Sequence, residues 1–334
     1  MACVKILVTG ASGFLGTYLI EELVSRGYVV RGMVRDLRKA DYLRSLGVEV
    51  AYGDLIKHDT LPQAVRGVDA VIHLAAYYTF TGSKKMYWLV NVEGTRALAQ
   101  AALKSGVRRF IYCSSTEAIG PVRDPPGDEN TPPNPQFEYG KSKLLAEQVV
   151  RELSSSGLEY TIVRPSGMYG PRNVDDVSYW FIMTLAKGGI LSKFMIGGGE
   201  YLVQFAHVRD VVQGFTLILE KPEVSVSQTY IISDERAYTY KEVYEILSHL
   251  LSKEPPKIKL GPRIAKFLLI FTEIYDRLRG GENLILRRSI VDAVTTHRAY
   301  SISKAQKELG YRPQYDLRRG LEETIKWYRD NGFL

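Results

Sequence analysis

Through the first half of the chain, short runs of β-branched and other apolar residues alternate with stretches of helical spacing. "VKILVTG" predicts a first strand, and a helix follows from about Gly13 to Arg26. "YVVRGMVRD" and "GVEVAYGDL" predict the second and third strands, and "DAVIHLAA" and "RRFIYCSS" continue the series with helices between them. The runs are apolar nearly throughout instead of alternating, as strands buried on both faces are. Strands separated by helices predict an α/β fold, a doubly wound parallel sheet. Six prolines between Pro121 and Phe137 make that stretch a loop, and a helix resumes near Tyr139. "LEYTIVRPSGMYGP" returns as a strand ending in a Pro/Gly-rich turn, and beyond about residue 166 strand-like and helical pieces mix. The expected organisation is a main domain over 1–165 and a smaller C-terminal substrate lobe over 166–334, with a segment near 200–235 returning to the main domain.

Composition narrows the class. With 334 residues, 45% hydrophobic and 24% charged, the chain has material for a sizeable core. Its two cysteines, Cys3 and Cys113, lie in apolar runs, which argues against a disulfide framework and for a reducing, cytoplasmic location. The N-terminal run meets glycines too early for a signal-peptide core. The most lipid-like stretch, residues 264–275, contains Lys266 and Glu273 and falls short of the roughly twenty apolar residues a span needs. Residues 251–334 hold 17 Lys/Arg against 10 Asp/Glu and so carry the whole net charge of +7. A solvated basic surface is the expectation, with peripheral contact to an anionic membrane as its alternative. "LGPRIAKFLLIFTEIYDRL" has amphipathic helical spacing and is expected to pack within the lobe. No zinc-ligand spacing and no recognised RNA-binding signature is present, so neither a metal nor nucleic acid is expected.

"VTGASGFLG" sets Gly10, Gly13 and Gly16 at three-residue intervals between a strand and a helix. Glycine there permits a tight turn and close approach to a pyrophosphate, whose charge the helix N-terminus stabilises. Residues 1–165 therefore read as a Rossmann-type dinucleotide-binding domain, with Gly10, Ser12, Gly13, Phe14, Leu15 and Gly16 as cofactor contacts. At the end of the second strand, Asp36 suits an unphosphorylated ribose, whereas Arg35 before it suits a 2′-phosphate, with Arg38 and Lys39 adding positive charge. NADP(H) is favoured and NAD(H) is the alternative.

"YGKSK" places Tyr139 and Lys143 four residues apart, on one face of a helix. An ammonium beside a phenol lowers the phenol pKa from about 10 and suits it to proton transfer at a carbonyl or alcohol. That spacing alone is common. In order and separation, however, the glycine motif, "YCSSTEAIGP" and "EYGKSK" resemble the extended short-chain dehydrogenase/reductase family, over nearly the whole chain. "GDL", "HLAA", "NVEGT", "RPSGMYGP", "FAHVRDVV" and "SISKAQKELGYRP" extend the likeness. The resemblance implies a catalytic triad of Ser115, Tyr139 and Lys143. It also implies cofactor contacts at Asp54, Leu55, Leu74, Ala75, Ala76, Asn91, Pro165 and Ser166, and pairing into a homodimer.

The branch is read from departures. Sugar-nucleotide dehydratases carry Thr-Asp-Glu where this chain has Ser115, Thr116 and Glu117, so the acid that expels a hydroxyl is missing. "SS-x-E" is compatible with a decarboxylase and is similar to the 3β-hydroxysteroid dehydrogenase group. Ala118–Gly120 replaces the usual "VYG", and Ser166 stands where epimerases have an Asn that meets the nucleotide sugar. "RP…YGP" resembles dihydroflavonol-4-reductase-like and hydroxysteroid dehydrogenase-like members. The substrate small molecule is expected near Tyr77, Tyr78, Phe80, Ser115, Glu117, Met168, Trp180 and His207. The expected activity transfers a hydride between NADP(H) and a ketone or secondary alcohol on an apolar cyclic substrate. The alternatives are a sugar-nucleotide epimerase or decarboxylase with tightly held NAD, and a non-catalytic dinucleotide sensor.

Overall fold

The computed structural model describes residues 4–79, 83–174, 176–279 and 287–334. Seven parallel strands form the main sheet: β1 (Lys5–Thr9), β2 (Val29–Val34), β3 (Glu49–Tyr52), β4 (Ala70–His73), β5 (Arg109–Cys113), β6 (Glu159–Pro165) and β7 (Gln228–Ile232). Their order is β7-β6-β5-β4-β1-β2-β3. Leu7 of β1 lies opposite Arg31 of β2 on one side and Val71 of β4 on the other. The chain runs outward from β1 to β3 and then crosses to β4. The crevice beyond the carboxyl ends of β1 and β4 is thus the switch point where such sheets bind ligands.

The helices used below are α1 (Phe14–Ser25), α2 (Gly94–Lys104), α3 (Glu138–Glu152), α4 (Val177–Lys187), α5 (Val208–Glu220), α6 (Tyr240–Leu251), α7 (Pro262–Arg279), α8 (Arg288–Val294) and α9 (Leu317–Asp330). Because successive strand residues point to opposite faces, Ile6, Val8 and Ile72 pack with Leu19 of α1 and Phe215 of α5. Leu7, Val71 and Phe110 pack with Leu98 of α2 and Val150 of α3. Each such fully buried side chain contributes about 1.5–3 kcal/mol. This two-sided burial is why the strands read as continuous apolar runs. Both α5 and β7 arise from the segment after residue 200 and complete the sheet and its helical cover.

The remaining chain builds a second core, where α4, α6 and α9 meet through Ile182, Leu185, Val243, Leu247, Leu321 and Ile325 around Tyr169. Beside it, α7 and α8 close an apolar cavity of about 390 Å³. Ala265, Leu269 and Thr272 of α7 line this cavity. The opposite side of α7 exposes Ile264, Phe267 and Phe271, so only one face of this helix packs in the lobe. Among the described residues, no helix is long and apolar enough to cross a membrane.

Candidate active site

Gly10 ends β1 with φ of +68°, a region that strains any side chain. A Cβ on Gly10 would lie 2.9 Å from the Ala75 nitrogen, and one on Gly16 would lie 2.1 Å from the Gly10 carbonyl oxygen. These approaches seat the start of α1 against the switch point. Gly13 caps α1 without a side-chain hydrogen bond, and the first turn holds no acidic residue. The helix therefore opens on amides left for an anion, at the positive end of its dipole. Ser12 is exposed at this lip and Phe14 lies edge-on to Tyr18, while Leu15 turns into the core and offers only its backbone.

At the end of β2 the two cofactor signals separate. The Asp36 carboxylate accepts two 2.9 Å hydrogen bonds from the Arg38 guanidinium and a third from the Arg38 amide, which hold its pKa down to about 2. Arg35 is exposed and, among the described residues, has no hydrogen-bond or ion-pair partner. Asp54 accepts the Ile56 amide at 3.0 Å. Leu55 is buried under Gly94, where a Cβ would come within 2.6 Å of the Leu55 Cβ.

The floor of the crevice is a hydrogen-bonded relay. Thr95 donates to the Asn91 carbonyl at 2.6 Å, so its oxygen accepts from His73 Nε2 at 3.0 Å. His73 Nδ1 then accepts from Thr9 at 2.7 Å, and the Thr9 oxygen accepts the Ala75 amide at 3.1 Å. Burial pushes the His73 pKa down to about 3, so the imidazole is neutral. Half-buried Leu74, Ala75 and Ala76 follow β4 along the crevice. Asn91, expected to touch cofactor, spends its amide within the chain. It accepts from the Tyr77 amide at 2.6 Å and donates to the Tyr77 carbonyl and to Ser142 Oγ, at 3.0 and 2.9 Å. It positions the segment after β4 against α3. Pro165 ends β6, and the Ser166 hydroxyl is tied to that of Ser233 at 2.6 Å.

Ser115 follows β5, and its Oγ accepts the Glu117 amide at 3.1 Å, which leaves the serine proton to donate elsewhere. Tyr139 stands in the first turn of α3 and Lys143 one turn later. Lys143 is 2% exposed, and its Nζ donates to the Cys113 carbonyl at 2.7 Å and lies 5.8 Å from the centre of the Tyr139 ring. The structure corrects one expectation here. Burial drives the Tyr139 pKa well above the ordinary phenol value, with Cys113, Asp176 and Glu117 adding to it. Desolvation outweighs the ammonium, which faces a backbone carbonyl. Tyr78 packs edge-on to Tyr139 at 4.9 Å and donates to Asp176 at 2.8 Å. Tyr77 packs against Tyr87, and Phe80 lies outside the described residues.

Glu117 is engaged by the second lobe: its Oε1 accepts Arg298 Nε at 2.8 Å. His207, expected near substrate, is fully buried. It caps α5, stacks on Tyr315 at 3.7 Å and has its pKa pushed down to about 3 by burial. It is a packing residue, and the expectation is corrected. Trp180 likewise does not line the cavity; its neighbours Phe181 and Ile182 do. Met168, in a short strand after β6 that pairs with residues 205–207, packs onto the main core. Ser178, two residues after Asp176, lines the cavity, and so does Tyr240, whose phenol the charges of Arg298 and Glu117 push in opposite directions.

Gly140, Tyr240 and Arg298 were not anticipated from sequence. A glycine inside a helix costs about 1 kcal/mol relative to alanine, so Gly140 carried a readable signal. Arg298 carried none, being 181 residues from Glu117.

Residues 6–233 match the NAD dependent epimerase/dehydratase family. The chain is 28% identical to a 3 beta-hydroxysteroid dehydrogenase/Delta 5-->4-isomerase of Mycobacterium tuberculosis, over 97% of this chain and 90% of that protein. The crystal structure of gox2253 superposes with a TM-score of 0.81 and 33% identity, covering 98% of both chains. DesIV, a dTDP-glucose 4,6-dehydratase from Streptomyces venezuelae solved with NAD, superposes with a TM-score of 0.78 at 26% identity, again over nearly all of both chains (99% and 98%). The glycine cradle, the switch-point crevice and this match over most of the chain agree: the protein belongs to the NAD dependent epimerase/dehydratase family, and is an oxidoreductase of the extended short-chain dehydrogenase/reductase type.

Proposed function

We propose that this enzyme reduces a ketone, or oxidises the matching secondary alcohol, on an apolar cyclic substrate with NADP(H) as redox partner. The observation that carries this reading is the 390 Å³ apolar cavity of the second lobe, whose wall includes Tyr240. Its lining of Phe181, Val243, Leu247 and Leu269 offers shape and apolar area, with few polar groups for a sugar nucleotide.

The residues present fit a dinucleotide. Gly10, Gly13 and Gly16 leave the space that side chains would fill, and the uncapped start of α1 would hold the pyrophosphate. Arg35 would meet a 2′-phosphate, while Asp36, already paired to Arg38, competes less for a ribose hydroxyl. When bound, the nicotinamide supplies or takes the hydride. Ser115 donates its free proton to the substrate oxygen, and removing such a donor costs about 3–4 kcal/mol of barrier. Tyr139, kept protonated by burial, gives its proton to that oxygen in reduction and recovers one in oxidation. Lys143, the buried cation beneath the ring, stabilises the phenolate left behind.

The epimerase and dehydratase readings lack supporting side chains. Thr116 is buried where a dehydratase needs an acid, and the Ser166 hydroxyl is already bonded to Ser233. We place the enzyme in the cytoplasm, where Cys113 stays reduced, and expect a homodimer.

Native mass spectrometry followed by fluorescence titration with NADPH and NADH tests the reading, together with NADPH oxidation against a panel of ring ketones. Empty protein that binds NADPH best and consumes it is the expected result. Copurified NAD that survives dialysis, with no net NADPH consumption, would overturn it in favour of an epimerase or lyase.

A further inference from the structure

We infer that Arg298 is a positioning residue that couples the wall of the apolar cavity to both proton-handling residues, Ser115 and Tyr139; the inference rests on the active-site reading above. Arg298 follows α8 and is 7% exposed. Its planar guanidinium reaches three parts of the site at once. Nε donates to Glu117 Oε1 at 2.8 Å, and the Glu117 amide in turn donates to Ser115 Oγ. Nη2 donates to Gln136 Oε1 at 3.1 Å, and the group lies 5.5 Å from the ring of Phe137, the residue that caps α3 just before Tyr139. Nη1 donates to the Ala293 carbonyl at 3.0 Å and to Thr296 Oγ1. Ala293 and its neighbour Val294 line the cavity.

Stability alone is a poor account of this arrangement. Taking a guanidinium and a carboxylate out of water is costly unless every remaining polar atom is satisfied. Here Glu117 Oε2 is buried with no hydrogen-bond partner among the described residues. What the pair does provide is rigidity: a fork of five N–H donors in one plane fixes the relative positions of the groups it bridges. A ligand pressing on Ala293 and Val294 therefore acts on both the turn bearing Ser115 and the cap of α3 through one guanidinium. Filling the cavity sets the distance between the serine and the tyrosine, so Arg298 governs turnover and leaves cofactor affinity alone.

The test compares Arg298→Ala and Arg298→Lys with wild type, using NADPH and the bicyclic ketone trans-2-decalone. Arg298→Ala is expected to lose about 10- to 100-fold in kcat, the scale of a small misplacement of reacting groups, with NADPH affinity unchanged. Guanidinium chloride should restore part of that loss, and sodium chloride at equal ionic strength should not. Arg298→Lys, which keeps the charge without the fork, should remain impaired, and it carries the test if the alanine variant does not fold. Unchanged kcat in a variant that binds NADPH, or equal restoration by both salts, would overturn the inference. If wild type leaves the ketone untouched, the redox reading fails separately. Amide exchange of residues 114–120 and 136–140 then decides the coupling: faster exchange in both segments of the variant supports it, and no change in either overturns it.

Discussion

Gly140 lies so close to Glu117 that a Cβ on the glycine would sit 2.2 Å from the Glu117 carbonyl oxygen. This approach lays the first turn of α3 directly on the turn after β5, the turn that Ser115 opens. Gly140→Ala should therefore destabilise by about 1–3 kcal/mol through overpacking, despite the helix-propensity gain of up to about 1 kcal/mol. Turnover should fall further than stability alone explains, because the helix must retreat. Urea denaturation and steady-state kinetics check both; an alanine variant with wild-type stability and rate would mean that the helix can back away freely.

Tyr139→Phe should abolish turnover while leaving the NADPH dissociation constant nearly unchanged. The pH dependence has a definite sign. The Tyr139 pKa is raised, so the proton needed for reduction is present below that value and lost as pH rises through it. Reduction should hold through neutral pH up to the ordinary phenol range of about 10, whereas oxidation, which needs the phenolate, should speed up with rising pH. A reduction rate that drops near neutrality would show that another group supplies the proton.

Arg35 and Arg38 should act in opposite senses on cofactor choice. Arg35→Ala removes the free guanidinium and should weaken NADPH far more than NADH. Arg38→Ala releases the Asp36 carboxylate from its bidentate pair and should shift preference toward NADH. Fluorescence titration of both variants with both cofactors reads the effect, and equal losses for the two cofactors would remove Arg35 from the 2′-phosphate.

Val243→Phe should raise KM for bulky ring ketones more than for small acyclic ones, with NADPH affinity unchanged, because Val243 lines the cavity and not the crevice. A uniform effect on all ketones would mean that substrate enters elsewhere.

His73 predicts a stability loss in acid. Its folded-state pKa is depressed from 6.5 to about 3 by burial. Between those values the unfolded chain binds a proton that the folded chain refuses, so stability is full above about 6.5 and declines as pH falls toward 3. The limiting slope for one proton is about 1.4 kcal/mol per pH unit. Urea midpoints of wild type and His73→Gln across this window isolate the contribution; parallel curves would exclude it.

Much of the fold was legible because local chemistry dictates it. Apolar runs bounded by helical spacing marked β1 to β6, and the glycine triplet between strand and helix marked the cradle, since backbone approach and positive φ leave few other residues possible. Ser115, Tyr139 and Lys143 stand in local motifs, and their identities are local facts. Their electrostatics are not. Whether Lys143 lowers the Tyr139 pKa depends on burial and on where Nζ points, and only packing sets either. His207 stood in a motif that resembles the family pattern, yet the stacked Tyr315, more than a hundred residues away in sequence, seals it in the core. The cavity, its Tyr240 wall and the Arg298–Glu117 pair are likewise beyond local reading, because they join segments whose separation along the chain carries no periodic or motif signal. Short-range sterics and patterning were enough to specify the sheet and the glycine cradle. The desolvation of Tyr139, the shape of the apolar cavity and the Arg298–Glu117 pair depend instead on packing between distant parts of the chain.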